Sequence, residues 1–539
     1  MLLYKDKDDK SHPMNEALGI HSHIVQDPMA EKATELVRQW VDDCNGAEKH
    51  PLCTPVQKQE KVTLPTRVIA VGPADGSKLP KLVETHGEEG SYIALSHCWG
   101  KTQIITTTKA TIASRKESIE WSLLSQTFRD AITWTRRLGI PYIWIDSLCI
   151  VQDDLQDWAT ESTKMGTIYE HAHLTLAATA APSGTLGFRS PRTPPQSFHL
   201  RDTPHRVSAQ LQPSHDSFTR RSQADPRLMP LLSRAWVYQE RLLSARVAHF
   251  GARELVFECQ NGYACECGGI ARYAGLASHN TSVKQEYRDA LLGARDAAYT
   301  WEAVVRGYTA CALSFEQDRL PALSATAARL EGLLGAYRAG LWERMLPDAL
   351  FWKGDAYLFE RPAAALLMAG AWKPGRRSGA RDAPPSWSWA AVEGAVVNLF
   401  YHLSTSKVKV VDVHTKPLLL DRYGSVAEGR ITVVGPVVRV GAEVIVTDTG
   451  AGQQAHYMLS QDGLKHEFFQ DVEISEHDAS QALNQGLFCL IGGYDHKTCV
   501  TLILRPTKVD AATYERVGLT TEVPPEWVSL AEEATITLI

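Results

Sequence analysis

The run from Tyr142 to Ile150 (YIWIDSLCI) is apolar at almost every position and rich in β-branched and aromatic side chains. That pattern predicts a strand buried on both faces. Pro141 breaks the helix before it. The run carries Asp146 and Ser147 near its end, and in open α/β sheets ligands bind at the carboxyl ends of strands. The competing reading is a core strand whose aspartate caps the next turn. Residues 91–100 (SYIALSHCWG) repeat the pattern as a buried strand running into a polar, glycine-terminated turn, with Ser96, His97, Cys98 and Trp99 at its mouth. A lone histidine after a strand is usually structural, but two strand ends of this kind together mark a candidate ligand site.

Between these strands the spacing predicts a helix starting near Thr127. Phe128, Ala131, Ile132, Thr135 and Leu138 share one face, and Gly139 and Pro141 end it. After Gln152 a second helix begins with Asp153 or Asp154 as N-cap, and Leu155, Trp158, Ser162, Met165 and Tyr169 form its buried stripe. At about 100° per residue, Glu161 falls roughly 80° from the centre of that stripe, on a shoulder facing a cleft. The plainer alternative is a solvated glutamate paired with Lys164 or Arg189. Residues 62–71 (VTLPTRVIAV) and 173–180 (HLTLAATA) add strands, and the alternation of strand and helix predicts a parallel sheet with flanking helices.

Elsewhere, residues 31–43 have helical spacing at Leu36, Val37 and Trp40, whereas residues 1–30 read as a loose arm. Residues 190–230 form an insertion with a short hairpin in FHLRDTPHRVSAQL. Residues 231–258 read as a helix followed by a strand pair, with Trp236, Gln239, Glu240 and Arg241 crowded on the helix. Such a face is commonly solvated. Residues 284–345 read as helical with a break at DRLPALS, and β-branched alternation begins at about 396. The domain boundaries follow: an arm and helix over 1–61, an α/β domain over 62–270, a helical region over 271–373, a linker over 374–395 and a β-rich domain over 396–539.

At 539 residues more than one domain is expected. A hydrophobic content of 44% and a charged content of 22% are those of a soluble protein. The net charge of -6, with no basic run among aromatics, excludes a broad nucleic-acid surface. No apolar stretch reaches the roughly 18 residues of a membrane span, and the N-terminus is too charged for a signal peptide. Ten scattered cysteines do not make a disulfide framework, which points to a reduced intracellular compartment. Cys44, His50 and Cys53 offer three zinc ligands with a fourth needed from elsewhere, and Cys259, Cys265 and Cys267 form a second group. Neither has the two clear ligand pairs of a structural zinc site, so packed thiols are expected and no metal is assigned. P-loop, G-x-G-x-x-G, H-E-x-x-H and G-x-S-x-G motifs are absent. His97 and Cys98 are adjacent on a strand and point to opposite faces, which leaves Cys149 with His97 as the one Cys/His pair to consider.

Together, YIALSHCWG, LSQTFRDAITWTRRLGIPYIWIDSLCIVQDDLQDWATESTKMGTIYEHAHLTLAAT and SRAWVYQERLLSARVAHF resemble the fungal heterokaryon incompatibility (HET) domain over residues 90–260. The Cys44–Cys53 segment, DRLPALS, LWERMLPDALFW and PPSWSWA resemble its usual companions. The resemblance implies a fungal, cytoplasmic protein of non-self recognition that triggers regulated cell death, with self-association or a protein partner as its activator. HET domains are in turn similar to Toll/interleukin-receptor (TIR) domains, whose sheet is flavodoxin-like. Some of those hydrolyse NAD with a helix-borne glutamate. This implies NAD as a substrate with no cofactor required, and Glu161, Asp146 and His97 as the catalytic set. Ser96, Trp99, Ser147 and Cys149 would line the nucleotide pocket, and Arg234, Gln239 and Glu240 would close it. Cleavage would pass through an oxocarbenium-like ribose that a carboxylate stabilises. Two other readings stay open: a HET scaffold recruited to small-molecule (secondary) metabolism, and an inert interaction module. The lack of a P-loop or repeats for recognition favours a stand-alone enzyme or effector.

Overall fold

The computed structural model describes residues 24–46, 62–101, 104–190, 225–270, 282–355, 383–393, 396–448, 486–495, 498–507 and 512–539, with shorter pieces elsewhere that include Leu2–Asp6, His50, Cys53, His215 and Phe218. Of the expected linker over 374–395, residues 374–375, 378–382 and 394–395 lie outside the described residues. The chain divides into two compact units, Met1–Arg295 and Asp296–Ile539.

Eight strands form the main sheet of the first unit among the described residues: β1 (Arg67–Ala70), β2 (Lys81–Glu84), β3 (Tyr92–Ser96), β4 (Tyr142–Trp144), β5 (Leu174–Ala177), β6 (Arg246–Phe250), β7 (Leu255–Cys259) and β8 (Gly262–Cys265). They lie in the order β8-β7-β6-β5-β3-β4-β1-β2. The central four, β4, β3, β5 and β6, are parallel to one another, and the strands on both flanks join them antiparallel. The sheet is therefore mixed rather than parallel throughout. Helices in the crossovers explain the parallel centre, because parallel strands need long connections. The crossover helices are α2 (Gln126–Arg137), α4 (Leu155–His171) and α5 (Ala235–Leu243), with α1 (Glu31–Asn45) ahead of the sheet. The β6–β7 and β7–β8 connections are too short for such a crossover and make hairpins. Counted from β3, the parallel strands run 2-1-3-4, so strand order reverses between β3 and β5. That switch point is where open α/β sheets hold ligands.

The apolar run at 142–150 is a strand only as far as Trp144. The chain turns at Ile145 into the short helix α3 (Asp146–Cys149), because the Asp146 carboxylate accepts the Ser147 N–H at 2.6 Å. The N–H groups of Leu148 and Cys149 close on the Ile145 carbonyl. In α2, Ser125 caps the start, and the buried face includes Phe128, Ala131, Ile132 and Thr135 as expected. Trp134 adds an edge-on contact to Phe250 at 5.0 Å. Helix α4 begins under an Asp154 cap, but its buried face is Glu161, Met165, Ile168 and Tyr169. Leu155, expected in that stripe, is 88% exposed, because it is the first helical residue and precedes contact with the sheet.

The insertion does hold a hairpin, Gln196–His199 with Arg206–Gln210. Leu2–Asp6, expected as part of a loose arm, pairs with its second strand. The second unit begins with the helix Ala297–Thr309, and the chain up to Leu350 then carries two short helices, Ser324–Ala328 and Glu331–Leu334, and a pairing of Tyr337–Arg338 with Leu341–Trp342, so the expected helical region is only partly helical. It is otherwise β-rich. The strand Val426–Asp448 pairs with Lys409–Pro417, Gln453–Gln461, Leu487–Asp495 and Glu532–Leu538. No helix among the described residues is long and apolar enough to cross a membrane.

Candidate functional site

The last residue of β3, Ser96, donates its hydroxyl to Glu240 Oε2 at 2.5 Å. Glu240 stands on α5 and is buried. Burial raises its carboxyl to about 7; Ser96 opposes that rise through its hydrogen bond, and the Asp146 charge adds to it. Asp146, at the start of α3, accepts from the Trp99 indole Nε1 at 2.8 Å, and its Oδ1 lies 3.8 Å from His97 Nδ1. The side chain of Asp146 is 23% exposed, whereas that of His97 is sealed against Phe128 at 5.1 Å. Burial lowers the His97 pKa, against the pull of Asp146 and with help from the Arg234 charge, so the imidazole is neutral at pH 7. Arg234, the residue before α5, donates to the His97 carbonyl at 3.3 Å. His97 Nε2 and Ser147 Oγ are both buried without a hydrogen-bond partner among the described residues.

The structure thus brings together Ser96, His97, Trp99, Asp146, Ser147, Arg234 and Glu240. Gln239 is buried beside Glu240 on the same helix. Tyr169 is an addition: its hydroxyl donates to the Leu95 carbonyl at 3.1 Å and it lies against Glu240. Its sequence signal was only a place in the α4 stripe. Cys149 is buried, its thiol is pushed up to about 12 by that burial, and it is no nucleophile at neutral pH. Glu161 is buried on α4, where Oε1 accepts from Thr66 Oγ1 and Lys164 Nζ, each at 2.9 Å. No hydrogen bond or ion pair among the described residues joins it to Asp146 or Glu240. Beside it, Arg67 grips Asp157 through both carboxylate oxygens at 2.7 and 2.6 Å.

The three cysteines Cys259, Cys265 and Cys267 do not form one group. Cys259 ends β7 beside Cys44, His50 and Cys53, whereas Cys265 and Cys267 meet His215 and Glu254. β7 and β8 are antiparallel, so the hairpin carries the thiols of Cys259 and Cys265 to opposite ends.

Two carboxylates in unlike surroundings, one partly solvated and one buried, can divide acid–base and charge-stabilising roles. His97 Nε2 and Ser147 Oγ each leave a buried polar atom without a hydrogen-bond partner among the described residues at the same strand ends.

The model of the family described as Heterokaryon incompatibility protein (HET) matches residues 92–240, which run from the start of β3 to Glu240. No curated protein and no solved structure matches the chain. The group at the strand ends lies wholly inside the matched segment, and residues 92–240 of this chain are a heterokaryon incompatibility (HET) domain.

Proposed function

We propose that this HET domain is the active part of a heterokaryon-incompatibility effector, and that it hydrolyses the nicotinamide–ribose bond of NAD at the β3–β5 switch point. The observation that carries the reading is a buried Glu240, held by the Ser96 hydroxyl, at the same strand ends as a partly solvated Asp146. The 2-1-3-4 strand order supports it, being the order of flavodoxin-like sheets. Asp146 stabilises the oxocarbenium-like ribose as the C–N bond breaks and its electron pair leaves on the nicotinamide nitrogen. A water adds to the ribose carbon as that bond breaks, and Glu240 takes its proton in the same step. His97 Nε2 and Ser147 Oγ hold the ribose or phosphate oxygens. Glu161, the helix-borne glutamate that the TIR likeness nominates, has Thr66 and Lys164 as partners and acts as a positioning residue for α4.

Nicotinamide release from NAD by the purified chain tests this. The wild type and Glu161→Gln are expected to turn over, and Asp146→Asn and Glu240→Gln to lose at least about 100-fold. Loss confined to Glu161→Gln would move the site to α4. Intact NAD with every protein would end the hydrolase reading.

A further inference from the structure

Two groups of metal-ligand side chains stand apart from the strand-end site, at opposite ends of the β7–β8 hairpin. The first draws on three separate elements: Cys44 from the last turn of α1, His50 and Cys53 from the turn that follows, and Cys259 from the end of β7. His50 Nδ1 lies 3.2 Å from Cys259 Sγ, and the four ligand atoms lie within 4.8 Å of one another. Backbone hydrogen bonds build the turn: His50 N–H to the Gly46 carbonyl and Cys53 N–H to the His50 carbonyl, both 3.0 Å. All three cysteines are buried, and none of the ten in the chain is in a disulfide.

The second group is His215, Glu254, Cys265 and Cys267, all buried, with its ligand atoms equally close. Cys265 Sγ and Cys267 Sγ are 3.4 Å apart, and Cys267 Sγ lies 3.6 Å from both His215 Nε2 and Glu254 Oε1. Gly269 N–H points at Cys267 Sγ and Ile270 N–H at Cys265 Sγ, each at 3.3 Å. Backbone donors aimed at sulfur stabilise thiolates, the form a metal requires. Glu254 also accepts the Cys267 N–H at 3.0 Å, which fixes its carboxylate.

We infer that this chain binds two structural zinc ions, one held by Cys44, His50, Cys53 and Cys259 and one by His215, Glu254, Cys265 and Cys267. A tetrahedral zinc with sulfur at about 2.3 Å and nitrogen or oxygen at about 2.0 Å sets ligand atoms roughly 3.3–3.8 Å apart. The sulfur contacts approach that range, and His215 Nε2 and Glu254 Oε1, hydrogen-bonded at 2.7 Å, exchange that bond for the metal. Each set supplies four protein ligands, so neither ion keeps an open position for substrate. Binding at the first site releases the three thiol protons and leaves a net charge of -1. Arg246, held by the His173 carbonyl at 2.8 Å and by Asn45, lies beside Cys44 to offset it. The zinc ions pin the edge hairpin at both ends: its turn to α1, and its open end to the insertion that carries His215. In sequence, Cys259 is 209 residues from His50, which is why neither set reads as a paired motif.

Metal analysis of the full chain, purified without chelator, tests this, with zinc counted after a mercurial releases it. The expected result is about two zinc ions per chain, and about one each in Cys259→Ser and Cys265→Ser. About one in the wild type, lost in only one of these variants, keeps that site and overturns the other. Should the variants fail to fold, cobalt chloride titrated into the chelator-stripped wild type separates the same outcomes. Thiolate-to-cobalt charge transfer that saturates at about two equivalents, with tetrahedral bands, is expected. No zinc, no cobalt spectrum and thiols fully open to a disulfide reagent would overturn both sites.

Discussion

Glu240 stands in a sequence, AWVYQERLL, that reads as one charged face of a helix, yet its carboxylate is buried against Ser96 and Tyr169. Its charge lowers stability in a defined window. With a folded-state value of about 7 against an ordinary 4.5, the stabilising effect of the neutral form is complete below 4.5 and is lost as pH rises through 7. Glu240→Gln removes that dependence. Its unfolding free energy should exceed that of the wild type by an amount that grows to the order of 3 kcal/mol between those limits, read by urea melts across pH. A constant difference would show that Glu240 titrates normally. At the strand ends the residue types and their order were legible: Ser96, His97, Trp99, Asp146 and Ser147 do meet. Glu161 was legible as a residue turned from solvent, and Lys164 as a partner, but Thr66 was not. Thr66 lies 95 residues away, and helical angle says nothing of what a side chain meets.

Among the elements, α2 and the loop after β5 fit each other tightly. Gly187 has φ +72, and a Cβ there would sit 2.3 Å from Asp130 Oδ2, the oxygen that accepts the Phe188 N–H at 2.9 Å. Phe188 in turn stacks on Phe250 of β6 at 3.9 Å. Gly187→Ala should therefore cost about 1–3 kcal/mol in urea unfolding, through the strained φ and the displaced aspartate. A cost below about 0.5 kcal/mol would mean that the loop is free to move. Strong periodicity predicted the elements themselves, as at α2, β3 and β5. Their limits followed competing local bonds, as where Asp146 diverts the strand at Ile145 into α3.

Across the whole molecule, the long-range pairings were the part that sequence could not supply. Alternation predicts parallel strands but not that β1 and β7 join the same sheet antiparallel, since each is decided by loop length and by edge partners. In the second unit, Arg516 is fully buried on an ion pair with Asp471 at 2.8 Å, donates to the Leu350 and Trp352 carbonyls, and lies 3.5 Å over the Trp352 ring. Arg516→Met leaves Asp471 charged and without that cation. A loss of about 3–5 kcal/mol follows, and hydrogen exchange should rise along Thr513–Thr520 while β3 and β5 of the first unit stay protected. Equal deprotection of both units would show that they unfold as one.

The pH profile of kcat/KM for nicotinamide release tests the strand-end mechanism most directly. If Glu240 takes the proton from the attacking water, the wild-type rate rises with pH through about 7, and the residual rate of Glu240→Gln is flat over the same range. A wild-type profile flat from pH 5 to 9, or a rise through 7 that persists in Glu240→Gln, would contradict the role of Glu240.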